Sequence, residues 1–248
     1  MTRRAGIVAL WLGIAVLCAI GIASAVQRGI ALAGDHAAFE RRTVKDIAAL
    51  YALEPGSPEL ARLERVIPES SANLVEHPRA TFAHMIPGAL LLLLAPFQFS
   101  RRLRTRHPAV HRWNGRFLLS LVAVAGASGI FLGLAKPFGG AIESGASALF
   151  GGLFLLAATR GFIAIRRRDV LRHREWMIRL FTLAAAISVI RVFGMLGIFA
   201  FGTEALTARG FGLMLWVGWL VSMLAAELWI LRTRARPATE SIHGLQPL

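Results

Sequence analysis

The chain has one cysteine, Cys18, set in an apolar run, so it forms no internal disulfide and says nothing about redox compartment. Zinc-type cysteine spacing, a phosphate-binding Walker loop and a dinucleotide fingerprint are all missing from the sequence. The usual sequence marks of zinc sites, nucleotide hydrolases and dinucleotide enzymes are therefore lacking. Acid is scarce too: 14 Asp and Glu stand against 28 Lys and Arg, a net charge of +14. Long polar stretches are just as scarce. Gln27–Ala80 is the one long polar segment, and its seven basic and eight acidic residues nearly cancel. Nothing in that segment has catalytic spacing.

What fills the chain is apolar sequence, 56 % of 248 residues. A helix needs about 20 mostly apolar residues to cross a bilayer core. Six runs meet or approach that length: Ala5–Val26, Thr81–Ser100, Phe117–Ala135, Ser144–Ile165, Trp176–Phe201 and Phe211–Leu231. The expected fold is all-α: a polytopic transmembrane bundle of six helices with two similar helical hairpins and a small extracytoplasmic helical segment. Residues 1–26 would form the first membrane helix and 27–80 the extracytoplasmic segment. Residues 81–201 would form a four-helix core, and 202–248 the last helix with a cytoplasmic tail. Ala23-Ser24-Ala25 resembles a signal-peptide cleavage site, but the apolar run before it exceeds the usual ~7–15 residues, so a retained helix is expected.

The basic residues are unevenly placed. Arg101–Arg116 (RRLRTRHPAVHRWNGR) holds six arginines, two histidines, a tryptophan and no acid. Arg166–Arg179 (RRRDVLRHREWMIR) echoes it, with His111 aligned to His173. Both read as basic loops at the turns of two hairpins on one membrane face. Pro108 suits the first turn of a helix, and Asp169 suits a helix N-cap. With the N-terminus inside, every strongly basic short segment falls inside, while the two short outer loops hold only Lys136 and Arg209. Such arginines face anionic lipid headgroups, each contributing on the order of 1 kcal/mol. They call for no nucleic-acid partner.

Polar groups within the membrane runs are the candidate site residues, because burying them there is costly. Arg191 sits between Val189-Ile190 and Val192-Phe193. Facing lipid would cost it roughly 2.5–3.5 kcal/mol, so it should turn inward, with Ile187 and Met195 on the same face. His84 lies at similar depth on the second run. Together with Gln98 they are the candidate ligand-binding residues, with Glu143 and Glu204 as rim counter-charges. A polar clamp between helices would use the same residues. Glu227 is expected to snorkel inward or pair with Arg160. His111 and His173, at equivalent positions, could ligate one haem axially, which would make haem b the cofactor. Their setting also reads as an interfacial anchor made of Arg112, Trp113, Arg116, Arg174, Trp176 and Arg179.

Several pieces occur in order: His84…Gly88, Pro96-Phe97-Gln98-Phe99, His107-Pro108…His111-Arg112…Gly115-Arg116, His173-Arg174…Trp176-Met177-Ile178-Arg179, and Arg191. On these the chain resembles a family of uncharacterised bacterial predicted membrane proteins, a domain of unknown function. It is more loosely similar to cytochrome b and ferric-reductase-like membrane proteins, whose usual four in-membrane haem ligands it does not reproduce. The resemblance implies no established activity; with the apolar runs and the arginine asymmetry, the expectation is a multi-pass protein of the bacterial inner membrane with both termini cytoplasmic. Three functions are compatible with the sequence. One is an outer cavity taking a small anionic or lipidic ligand. Another is haem-dependent electron transfer through His111 and His173. The third is a scaffold whose outer cap, Gln27–Ala80, meets a partner protein. No catalytic residue is assigned, and the question of an enzymatic role stays open.

Overall fold

In the computed structural model, which describes residues 3–234, every element is helical. Six helices are long and apolar enough to cross a membrane. They are α1 (Arg3–Ala33), α4 (Pro78–Gln98), α6 (Pro108–Ala135), α7 (Gly140–Arg166), α8 (Val170–Phe201) and α9 (Ala208–Thr233). Three shorter pieces connect them: α2 (His36–Leu50), α3 (Pro58–Glu76) and α5 (Arg101–Arg106). A short 3-10 turn, Gly202–Ala205, joins α8 to α9. Large apolar side chains such as Leu12, Phe199 and Leu231 face outward, as lipid-facing positions require. The tail from residue 235, including the predicted tail cation Arg236, lies outside the described residues.

Local signals explain where the helices start. Asp35 accepts from the Ala38 N–H to cap α2, and Ser57 accepts from the Leu60 N–H to cap α3, with Pro58 in its first turn. Asp169 accepts from the Arg172 N–H at 3.0 Å to cap α8. Gly34 and Asp35 separate α1 from α2. α1 itself runs on through Gln27–Ala33, which carries Arg28 into its last turns.

The two basic stretches, expected as loops, are mostly helix. Arg101–Arg106 is α5, the residues from Pro108 on belong to α6, and only the neighbourhood of Arg167–Asp169 is a turn. The reason is length. α8 has 32 residues, about 48 Å at 1.5 Å per residue, against a hydrocarbon core of about 30 Å. Its overhang carries the basic sequence as regular helix.

α4, α6, α7 and α8 pack in that cyclic order, with α4 closing against α8. α1 lies on α4 and α8, and α9 on α7 and α8. α6 and α8 start at the end of the bundle that carries the arginines, called here the basic end. α2 and α3 cover the other, the cap end, where Asn73 of α3 donates to the Leu132 carbonyl of α6 at 2.5 Å and Lys136 pairs with Glu76. Phe39, Ile47 and Leu50, which have roughly helical spacing in the sequence, lie on α2, with Phe39 and Ile47 partly buried and Leu50 73 % exposed.

Small residues let the helices approach, as is usual in membrane interfaces. A Cβ on Gly133 of α6 would fall 2.2 Å from the Ser147 side chain of α7. One on Gly129 would fall 2.8 Å from the His84 ring. The space taken by that imidazole is the missing side chain of Gly129.

Candidate functional site

His84 enters the bundle from the second turn of α4, near the cap end. Its Nδ1 lies 2.8 Å from the Ala125 carbonyl of α6, an acceptor, so this nitrogen carries the proton. Nε2 is then left as an acceptor. Pro87 lacks the N–H that would bond the Ala83 carbonyl, which frees a second acceptor beside the histidine.

Arg191 comes from α8 and lies within electrostatic range of His84. Its own hydrogen bond is long: Nη1 donates to the Ile187 carbonyl at 3.4 Å. One turn back, Ser188 is fully buried between α8 and α1 with no partner for its hydroxyl among the described residues. The expected inward face of α8 therefore runs through Ser188 and Ile187. Met195, expected on it, is 69 % exposed, because the helix end there turns that position to the periphery.

Arg28 is the residue that sequence reading missed. It extends from the end of α1 to within interaction range of both Arg191 and Glu40 of α2. Glu40 in turn accepts from the Ser71 hydroxyl of α3 and lies 3.0 Å from Nε2 of His36. The cluster thus holds two guanidiniums and one carboxylate, with His84 at its edge. Arg28, His84 and Arg191 are each mostly buried and keep a minor share of their surface exposed. Glu143 does not serve as a rim counter-charge: its carboxylate accepts from the Gly139 N–H at 2.7 Å and caps the start of α7. The Glu204 side chain lies outside the described residues.

Gln98 belongs elsewhere. It stands 14 residues beyond His84, about 21 Å along α4. There its amide donates to the His111 carbonyl at 3.2 Å and ties α4 to α6. Polarity alone groups it with His84 and Arg191; the fold puts it at the opposite end.

At the basic end the echo between the two stretches is physical. His111 and His173 are each the fourth residue of their helices, and their charges fall within interaction range. Arg116 stacks over Trp113 at 5.3 Å and Arg179 over Trp176 at 4.9 Å, the same i, i+3 contact twice. The histidines differ in their partners. His173 donates from Nδ1 to the Gly161 carbonyl of α7 at 2.8 Å, whereas Nδ1 of His111 is buried without a partner. Arg112 is exposed. Arg174 donates to the Thr233 hydroxyl at 2.8 Å. Glu227 pairs with Arg179 through two hydrogen bonds of 2.5 and 2.8 Å. Arg160, its expected partner, is exposed on α7. Sequence depth allows either arginine, and the packing of α9 on α8 selects Arg179.

A family model described as "Predicted membrane protein (DUF2306)" matches residues 81–230, from the first turn of α4 to the last turn of α9. The chain belongs to the DUF2306 family. Neither a curated protein nor a solved structure matches it. The part shared with the DUF2306 family includes His84, His111, His173, Arg191 and the Arg179–Glu227 pair. Arg28 and Glu40 lie before it, so the cap-end cluster joins DUF2306 residues to residues of the preceding helices.

Proposed function

We propose that this DUF2306 protein resides in the bacterial inner membrane with its basic end and both termini in the cytoplasm, and that its cap-end cluster binds a small anionic or lipidic ligand from the outside. The asymmetry of arginines over the short connections supports that orientation. The observation that carries the ligand reading is the charge inventory of the cluster. Two membrane-embedded guanidiniums, Arg28 and Arg191, lie within range of each other, with Glu40 as the carboxylate beside them. Like charges brought together in a low-dielectric setting repel, and an anion between them relieves the repulsion. The ligand's negative group would sit between the two arginines, and a hydroxyl on it would donate to Nε2 of His84.

The test is thermal unfolding of the detergent-solubilised protein against inorganic phosphate, short carboxylates and anionic-headgroup lipids. At least one should raise the Tm in a concentration-dependent way, as ligand linkage requires, and Arg191→Gln should remove that rise. A rise that persists in both Arg191→Gln and Arg28→Gln overturns the reading.

A second reading rests on the histidine pair. With Nδ1 of His173 held by the Gly161 carbonyl, Nε2 is left free to ligate, the usual arrangement behind a metal-bound imidazole. His111 on α6 and His173 on α8 would then hold haem b, which would supply electron transfer there. Protein expressed with sufficient haem would then show a Soret band that His173→Ala abolishes, and a featureless visible spectrum would end this reading.

A further inference from the structure

We propose that the basic end carries a bound anionic phospholipid, seated in a groove between the last turn of α4, α5 and the start of α6. This site lies at the opposite end from the cap-end cluster and does not depend on it. The groove has a volume of about 470 Å³, and its walls are apolar: Leu94 and Phe97 from α4, Leu103 from α5 and Val110 from α6. Phe97 and Val110 are more than half exposed. Arg102 and His107 stand at its rim. Arg102 also lines an adjoining hollow of about 360 Å³ with Arg101, Thr105 and Arg106.

The two hollows meet at Arg102, one lined mainly by apolar side chains and the other by arginines. The apolar walls begin on the membrane-spanning part of α4, where an acyl chain lies. The arginines come next, at the level of a phosphate. None of Arg101, Arg102 and Arg106 has an ion-pair partner among the described residues. The remaining arginine of α5 is used differently. Arg104 donates from Nη1 to the carbonyls of Phe99, at 3.2 Å, and Gln98, at 3.4 Å, which pins α5 to the end of α4. Arg102 thereby stands on a helix fixed beside the groove. Guanidinium forks suit phosphate oxygens, and basic pockets on the cytoplasmic side of membrane helices take anionic headgroups. A free phosphate would use the arginines but leave Phe97, Leu94 and Val110 without a role.

The other basic stretch is the internal control. Arg167 and Arg168 there line neither hollow, so replacing them removes the same charge from the same end of the bundle and leaves the groove intact.

The experiment is native mass spectrometry of the full chain after delipidation in neutral detergent. Phosphatidylglycerol and phosphatidylcholine with identical acyl chains are added in turn, with and without inorganic phosphate. The unaltered protein should keep one phosphatidylglycerol at least tenfold better than phosphatidylcholine, and phosphate should not displace it. The double substitution Arg102→Gln/Arg106→Gln should remove the preference. Phe97→Ala should weaken long-chain lipid more than short-chain lipid, and Arg167→Gln/Arg168→Gln should change little. Equal retention of the two lipids by the unaltered protein overturns the proposal, and so does an equal loss from the two arginine pairs. The first comparison needs no variant, so it stands even if one fails to fold.

Discussion

The two ends of the bundle treat arginine differently. At the basic end the cations of α8 and the end of α9 have partners in reach: Glu227 binds Arg179 through both oxygens, Glu175 accepts from Arg234 at 2.8 Å, and Thr233 accepts from Arg174. At the cap end Arg191 has the cation Arg28 as its charged neighbour, the carboxylate of Glu40 faces Arg28, and the Ile187 carbonyl receives Arg191 only at 3.4 Å. A partnered ion in a membrane bundle belongs to the architecture, and taking away its partner exposes the desolvation cost of the charge left behind. An under-partnered ion is a cost already present in the resting fold, and such costs persist where something else uses the charge.

The largest expected effect separates the two ends directly. Glu227→Gln leaves Arg179 without its carboxylate and should lower stability by about 2 kcal/mol, below the range for fully buried pairs because the Glu227 side chain is 40 % exposed. Arg191→Gln, measured without added ligand, should leave stability unchanged or raise it by up to about 1 kcal/mol. Denaturant titration in one detergent compares them. Equal destabilisation by the two substitutions would erase the distinction between the ends.

A smaller effect sharpens the same comparison along a single helix. Gly129→Ala in α6 puts a methyl 2.8 Å from the His84 ring and should cost about 1–2 kcal/mol, moving the imidazole off the Ala125 carbonyl. Gly115→Ala, on the same helix at the basic end, meets its nearest neighbour, the Gln98 amide, at 3.8 Å and should stay within about 0.5 kcal/mol. Matching losses at the two positions would show that α6 responds to helix propensity and not to the histidine.

Much of this fold is written locally. Apolar length marks the six spans, and Ser57-Pro58 and Asp169 mark two helix starts, because caps and hydropathy act over a few residues. The proximity of Arg191 to His84 is also legible, since a buried cation leaves few directions to point. What cannot be read depends on rotation about helix axes and on how far helices overhang. Arg28 reads as part of a polar segment, yet Gly29-Ile30-Ala31-Leu32 continues the helix beyond it. That short apolar continuation is the available signal. Glu227 could meet Arg160 or Arg179, and only the packing of α9 decides between them. Gln98 groups with His84 by polarity, although the step of 14 residues from one to the other spans most of the membrane core.

The direct run of α1 into α2 through Gly34 and Asp35 has a consequence for biogenesis. Translation is vectorial, so Arg28 emerges long before α8 is made. Its first acidic neighbour, Glu40, follows on the very next helix and can shield the guanidinium while α1 waits for partners. Arg191 arrives late, into a site where Arg28 and His84 already stand. The order of synthesis therefore delivers the shielding carboxylate to the earlier cation, and the later one packs where Arg28 already stands. A chain lacking Glu40 would meet its hardest step during insertion, before the finished bundle exists to be measured.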